Sequence, residues 1–143
     1  MIENVTMNTS SERKIFRSKR FIDQLILENH SNINFNVDLM ARLIGISKAY
    51  LREIISMQYG ISPHKLIEGY RLEKSFKLIE KDLTEYQIVR KAGYSSPRSY
   101  RRAFKSRFGI LPSKYKEIIN SQIYNISEYK NELLEKLWRN VIK

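Results

Sequence analysis

Cysteine is absent from the 143 residues, which excludes disulfides, thiolate metal sites and thiol nucleophiles and is compatible with a reducing cytosol. Histidine is nearly absent. His30 and His64 stand too far apart in sequence to form a helical ligand pair, so each reads as a surface or packing residue, and no metal or cofactor is implied. No run approaches the ~18 consecutive apolar residues of a membrane span, and the opening "MIENVTMNTSSE" lacks the apolar stretch of an export signal. The expectation is a cytoplasmic protein with no membrane partner. No Ser/His/Asp set, phosphate loop or metal cluster is visible, so no enzyme is expected. Acid is scarce: 15 Asp and Glu against 26 Lys and Arg leave a net charge of +11, the electrostatic footprint of a nucleic-acid binder.

What is present is enough apolar material, 42% of residues, to give one domain or two very small ones a core. The basic surplus concentrates in "SSPRSYRRAFKSRFG", Ser95 to Gly109, which has five basic residues and no acidic one. Ser96 can cap a helix, Pro97 suits its first position and Gly109 its left-handed stop, so the stretch predicts a helix over Pro97 to Phe108. Tyr100, Ala103, Phe104 and Phe108 recur at the spacing of a buried stripe. Arg98, Arg101, Arg102 and Lys105 then share the opposite side as a one-signed ridge. Solvated helix faces usually mix signs, because Glu and Lys support each other at four-residue spacing. A ridge of a single sign calls for something negative opposite it.

The pattern occurs twice. "ARLIGIS", Ala41 to Ser47, aligns with "VRKAGYS", Val89 to Ser95, 48 positions later, and "YGISPHKL", Tyr59 to Leu66, with "FGILPSKY", Phe108 to Tyr115. Each unit reads as helix, tight turn, helix. In the first, Asn36 caps a helix over Val37 to Ile44, Gly45 turns, and Ser47 caps a second helix that ends at Tyr59 before Gly60. In the second, Thr84 caps a helix to Ala92, Gly93 turns, and the basic helix follows. A small residue four before the turn glycine lets the helices cross closely, and an apolar residue after it plugs the corner: Ala41 with Ile46, and the bulkier Val89 with Tyr94. This is the helix-turn-helix arrangement, whose second helix enters the DNA major groove, and two copies are far more specific than one.

Between the units, "SPHKLIEGYRLEKSFKLIEK", Ser62 to Lys81, reads as one helix despite Gly69, a rod of ~30 Å that suits the ~34 Å between successive major grooves on one DNA face. Phe21, Ile22, Leu25 and Ile26 mark a further helix from Arg17 to Asn29 capped by Ser18. The tail, "SQIYNISEYKNELLEKLWRNVIK", predicts an amphipathic helix capped by Ser127, with Tyr129, Leu133, Leu134, Leu137, Trp138, Val141 and Ile142 on its apolar face. Docking on its own domain, self-association and capture of another protein are the three ways to bury that face.

These residues resemble the DNA-binding domain of the AraC/XylS family of bacterial transcription regulators. The likeness is carried by "ARLIGISKAYL", "RLEKSFKLIEKD" and "AGYSSPRSYRRAFKSRFGILPSKYKE" and covers Arg17 to Glu117. It implies an all-α fold of seven helices in two helix-turn-helix subdomains joined by a long helix, with both recognition helices, 47–59 and 96–108, facing one side of double-stranded DNA. The expected organisation is a disordered arm (1–16), a first subdomain (17–61), the connecting helix (62–81), a second subdomain (82–120) and a C-terminal helical extension (121–143). Carried over residue by residue, the resemblance assigns Ser47, Lys48, Ala49, Arg52, Glu53 and Ser56 to DNA from the first motif and Arg98, Ser99, Arg101, Arg102 and Lys105 from the second. Glu53 and Ser56 stand where related proteins often have basic residues. Glu53 could accept from a cytosine amino group, while Arg52, and Arg98 or Arg102, suit bidentate guanine contact.

With only about sixteen residues ahead of the first helix, the chain resembles the stand-alone members of the family, which bind as monomers and lack a ligand-binding domain. The absence of cysteine excludes the family's alkyl-transfer repair branch. The expectation is a sequence-specific activator at the bacterial nucleoid, with RNA polymerase as a further partner and a dimer through residues 121–143 as the alternative to a monomer. Two rival readings are a sequence-tolerant architectural DNA binder and an interaction protein acting through the C-terminal helix.

Overall fold

The computed structural model describes residues 18–121 and 125–142. The proposed arm over 1–16, and Arg17 at the predicted helix start, lie outside the described residues. Among the described residues there are eight helices: α1 (Lys19–Asn29), α2 (Val37–Ile44), α3 (Lys48–Tyr59), α4 (Pro63–Glu80), α5 (Glu85–Ala92), α6 (Pro97–Phe108), α7 (Pro112–Asn120) and α8 (Ile126–Trp138). The fold is all-α, as the sequence predicts.

Capping residues set most of these boundaries. Ser18, Asn36, Ser47, Ser62, Thr84 and Ser96 each accept a backbone N–H of the first turn through the side chain, which satisfies one of the orphan donors of a helix start. Thr84 and Gln87 add the reciprocal bond of a capping box. The tail departs from expectation here. Asn125, not Ser127, is the cap, its Oδ1 accepting from Glu128 N at 3.1 Å, and α8 stops at Trp138, so Val141 and Ile142 belong to a non-helical end.

Two apolar cores form, one per subdomain, and α4 contributes to both. Its first half gives Leu66 and Ile67 to a core with Ile22, Ile26, Met40, Leu51 and Ile55. Its second half gives Leu72, Phe76 and Ile79 to a core with Val89, Tyr100, Phe104, Phe108 and Tyr115. The second core is centred on aromatic rings, with Phe76 lying 4.8 Å from Tyr115 and 4.9 Å from Phe108 between centroids, distances at which tilted and edge-to-face pairs add to burial.

The connecting helix is more than a rod. Arg71 donates from Nε to His30 O (2.8 Å) and from Nη2 to Phe35 O (2.7 Å) and Asn32 O (3.1 Å), gathering the carbonyls of the α1–α2 loop. The same guanidinium lies 5.9 Å from the Tyr94 ring of the second motif's turn. His30 is a packing histidine: it is buried, with Nδ1 3.0 Å from Ile26 O and from Leu27 O. Its desolvation holds its pKa below the ordinary value. His64, by contrast, is largely exposed.

Candidate nucleic-acid interface

The two turns repeat one geometry. Gly45 has φ +83° and Gly93 φ +97°, the left-handed region that glycine enters without strain. The residue after each glycine closes the corner with the same bond, Ile46 N to Ala41 O (3.1 Å) and Tyr94 N to Val89 O (2.9 Å). Ala41 and Val89 are buried where the helices cross. In each motif, the turn sets the second helix across the first and leaves its outer face in solvent.

On the first such helix, Lys48, Ala49, Arg52, Glu53 and Ser56 are all exposed, with Leu51, Ile54 and Ile55 buried beneath them. Ser47 is the cap, its hydroxyl accepting Tyr50 N at 3.1 Å. On the second, Arg98, Ser99, Arg101, Arg102 and Lys105 are exposed above buried Tyr100, Ala103, Phe104 and Phe108. The side-chain split read from the sequence of the second helix therefore holds there, and the first helix shows the same division.

The charge distribution is less one-sided than the sequence of the basic stretch suggests. Arg101 is tied by its own scaffold: Nε donates to Glu85 Oε2 at 2.8 Å and Nη2 to Oε1 of the same carboxylate. Arg107, the fifth basic residue of the stretch, turns inward. It pairs with Glu68 at 2.8 Å, both side chains less than a fifth exposed, and donates to Leu137 O at 3.2 Å. The first motif has the same device, Lys48 pairing with Asp38 at 2.9 Å. That ion pair, chiefly through the hydrogen bond from Lys48, holds the Asp38 carboxyl below its usual range, with smaller contributions from Arg42 and Arg52. Arg52, Arg98, Arg102 and Lys105 form no ion pair among the described residues. The available cations are thus one on the first helix and three on the second.

Arg98, Ser99 and Arg102 also line a cleft of about 670 Å³ and mixed polar and apolar character between α6 and the start of α4, together with His64, Arg71 and Ser106. Sequence reasoning took His64 for a surface or packing residue and did not single out Arg71, because their place at this cleft depends on how α4 lies against α6, which no local pattern reports. No group of three or more His, Cys, Asp or Glu able to hold a metal occurs among the described residues, nor is any of their helices long and apolar enough to cross a membrane.

Comparison with known proteins agrees with this geometry. A family model described as a helix-turn-helix domain matches residues 40–118, more than half of the chain. The Msm operon regulatory protein of Streptococcus mutans is 29% identical over 108 residues, 73% of this chain and 39% of that protein. The HTH-type transcriptional regulator ExsA of Pseudomonas aeruginosa is 26% identical over 95 residues, 66% of this chain and 34% of that protein. Among solved structures, the C-terminal domain of AraT, a response regulator from Geobacillus stearothermophilus, superposes with a TM-score of 0.66 at 27% identity, covering 69% of this chain and 83% of that one. The chain spans less than half the length of the curated relatives it matches.

Proposed function

Since the chain belongs to the AraC/XylS family of helix-turn-helix proteins, we propose that it is a DNA-binding transcription regulator that sets α3 and α6 into successive major grooves of one asymmetric site. The observation that carries this reading is the duplicated turn: two recognition helices with matching corner bonds, mounted on one connecting helix, each with an exposed polar face over a buried apolar one. An α4 of 18 residues spans about 27 Å, which is compatible with grooves about 34 Å apart once the helices project beyond its ends.

The two helices divide the work. Arg98, Arg102 and Lys105 supply phosphate attraction and docking, while Arg52 beside Glu53 reads base edges, Arg52 toward guanine and Glu53 toward a cytosine amino group. Ser47, Lys48, Ala49, Ser56, Ser99 and Arg101 complete the proposed contact surface. The chain acts as a monomer, since tandem motifs already present two helices, and the family likeness supports activation with RNA polymerase as the partner.

Selection of binding sites from random DNA with the purified chain, followed by footprinting, tests this directly. Two protected patches about one helical turn, ~10 base pairs, apart and strong preference over random competitor at fixed salt are expected. Equal affinity for selected and random DNA would leave a sequence-tolerant architectural binder in its place. A promoter fusion carrying the selected site then gives the sign of regulation.

A further inference from the structure

The helix-turn-helix match ends at residue 118, yet the chain beyond it is built into both subdomains. Helix α8 begins on the second. Tyr129 stacks on Tyr115 with centroids 5.8 Å apart, Lys130 pairs with Glu80 at 3.1 Å, and Leu133 and Leu137 are buried in the second core. Two basic side chains fasten the helix from opposite directions: Arg107 donates to Leu137 O and Lys136 donates to Phe108 O at 3.4 Å.

At its end the helix crosses the middle of α4. Trp138 packs against both cores. Its ring lies over Gly69, so close that a Cβ at that position would stand 2.4 Å from Cη2. Its Nε1 donates to Glu73 Oε1 at 2.8 Å, and Tyr70 meets it edge-on at 5.8 Å. Beyond Trp138 the chain reaches the first subdomain, where Val141 packs on the first core, Ile142 N donates to Tyr59 O at 2.9 Å and Lys19 Nζ donates to Ile142 O. Asp23 prepares that landing place by accepting from Tyr59 Oη (2.6 Å) and Tyr70 Oη (3.0 Å). The groove of about 780 Å³ bordered by Asp23, Tyr70, Glu73, Leu134 and Trp138 is the seam of this contact.

Gly69 and Arg71 are two residues apart on α4, about 200° around the helix, so the Trp138 contact and the Arg71 contact grip opposite faces of the connector. From this we infer that residues 125–142 form a strap that fixes the orientation of the two subdomains, and that Trp138 is a positioning residue for the spacing between the DNA half-sites. The second clause rests on the proposed DNA-binding function; the first does not.

The absence of cysteine makes the test clean, because two introduced cysteines are unique labelling sites. Spin labels at Gln24→Cys in α1 and Ser113→Cys in α7, both exposed and outside the DNA surface, report the distance between subdomains. One narrow distance distribution is expected for the labelled wild type, and loss of that single narrow peak for Trp138→Ala. Ile142→Pro is the milder variant: it removes the N–H donated to Tyr59 and replaces a half-exposed side chain beside Gly60 that belongs to neither core, and it should broaden the peak in the same sense. In parallel, the selected DNA site is lengthened and shortened by one base pair. The wild type should lose about tenfold or more, the equivalent of one good base contact, whereas Trp138→Ala should lose less than about twofold. Unchanged distance distributions in both variants would overturn the strap. A broadened distribution with an unchanged spacing preference would overturn its role in specificity. If the wild type binds no DNA at any spacing, the proposed function fails instead, and the spin-label arm alone decides the strap.

Discussion

Replacing Gly69 by alanine should destabilise this protein, against the general rule for glycine inside a helix. Alanine is ordinarily favoured there by about 1 kcal/mol, because glycine loses more backbone freedom on folding. Here the added Cβ would meet Trp138 at 2.4, 2.8 and 3.0 Å from Cη2, Cζ3 and Cζ2. The indole cannot simply swing aside while Glu73 holds its Nε1 at 2.8 Å and Tyr70 abuts its ring. Overpacking of this kind costs about 1–3 kcal/mol, so Gly69→Ala should lower stability by about 1 kcal/mol net. Truncation of a fully buried tryptophan costs about 3–5 kcal/mol, and Trp138 is only partly buried, which puts Trp138→Ala nearer 2 kcal/mol. In the Trp138→Ala background the obstruction is gone, and Gly69→Ala should then stabilise by about 1 kcal/mol, a coupling energy of about 2 kcal/mol between the two positions. Urea unfolding followed by far-ultraviolet circular dichroism measures all four corners of the cycle, since the tryptophan signal is lost in two of them. Stabilisation of about 1 kcal/mol in both backgrounds would mean that the indole does not rest on Gly69.

Three further outcomes follow from named contacts. Glu85→Gln releases Arg101 from its carboxylate; affinity for random DNA should rise, and the slope of log K against log salt should steepen by about 0.9, one further phosphate neutralised, in a filter-binding titration. Arg52→Ala should cost about 1–3 kcal/mol on the selected site and little on random DNA, whereas Arg102→Ala should weaken both alike; equal loss on random DNA for the Arg52 variant would remove it as a base reader. His30 has its pKa depressed by burial, with Lys74 and Arg71 adding repulsion, so the unfolded chain binds its proton more readily than the folded one. Its contribution to stability is therefore complete above its ordinary pKa of about 6.5 and falls away as pH drops below it. The midpoint of urea unfolding should fall between pH 7 and pH 5, and His30→Asn should flatten that fall.

The helices were legible because their signals are local. Asn36, Ser47, Thr84 and Ser96 announce starts that depend on one side chain and one backbone N–H, and the Gly45 and Gly93 turns repeat at a fixed interval. The ion pairs of Arg101 and Lys48 were not legible, because their partners, Glu85 and Asp38, lie on the neighbouring helix of each motif. A count of charge along a single helix cannot see across the turn. The tail was half legible: its apolar face follows from periodicity, whereas its cap was misplaced because both Asn125 and Ser127 are good capping residues. The surface that receives it is a notch at Gly69, and only the tertiary structure gives that residue a reason.

The duplicated turns also show where equal local geometry ceases to mean equal energetic weight. A Cβ built on Gly45 would meet nothing within 4 Å, so that glycine is required by its positive φ alone. At Gly93 the same atom would lie 2.2 Å from His30 O and 2.9 Å from Arg71 Nε. The obstructing group is a backbone carbonyl already held by Arg71 at 2.8 Å, so no rotamer change can clear it. The second turn is thus a joint between subdomains as well as a corner within one. Arg71 closes that joint on one face of α4 and Trp138 closes the strap on the opposite face, so a change of angle between α3 and α6 has to break packing on one side of the connector or the other.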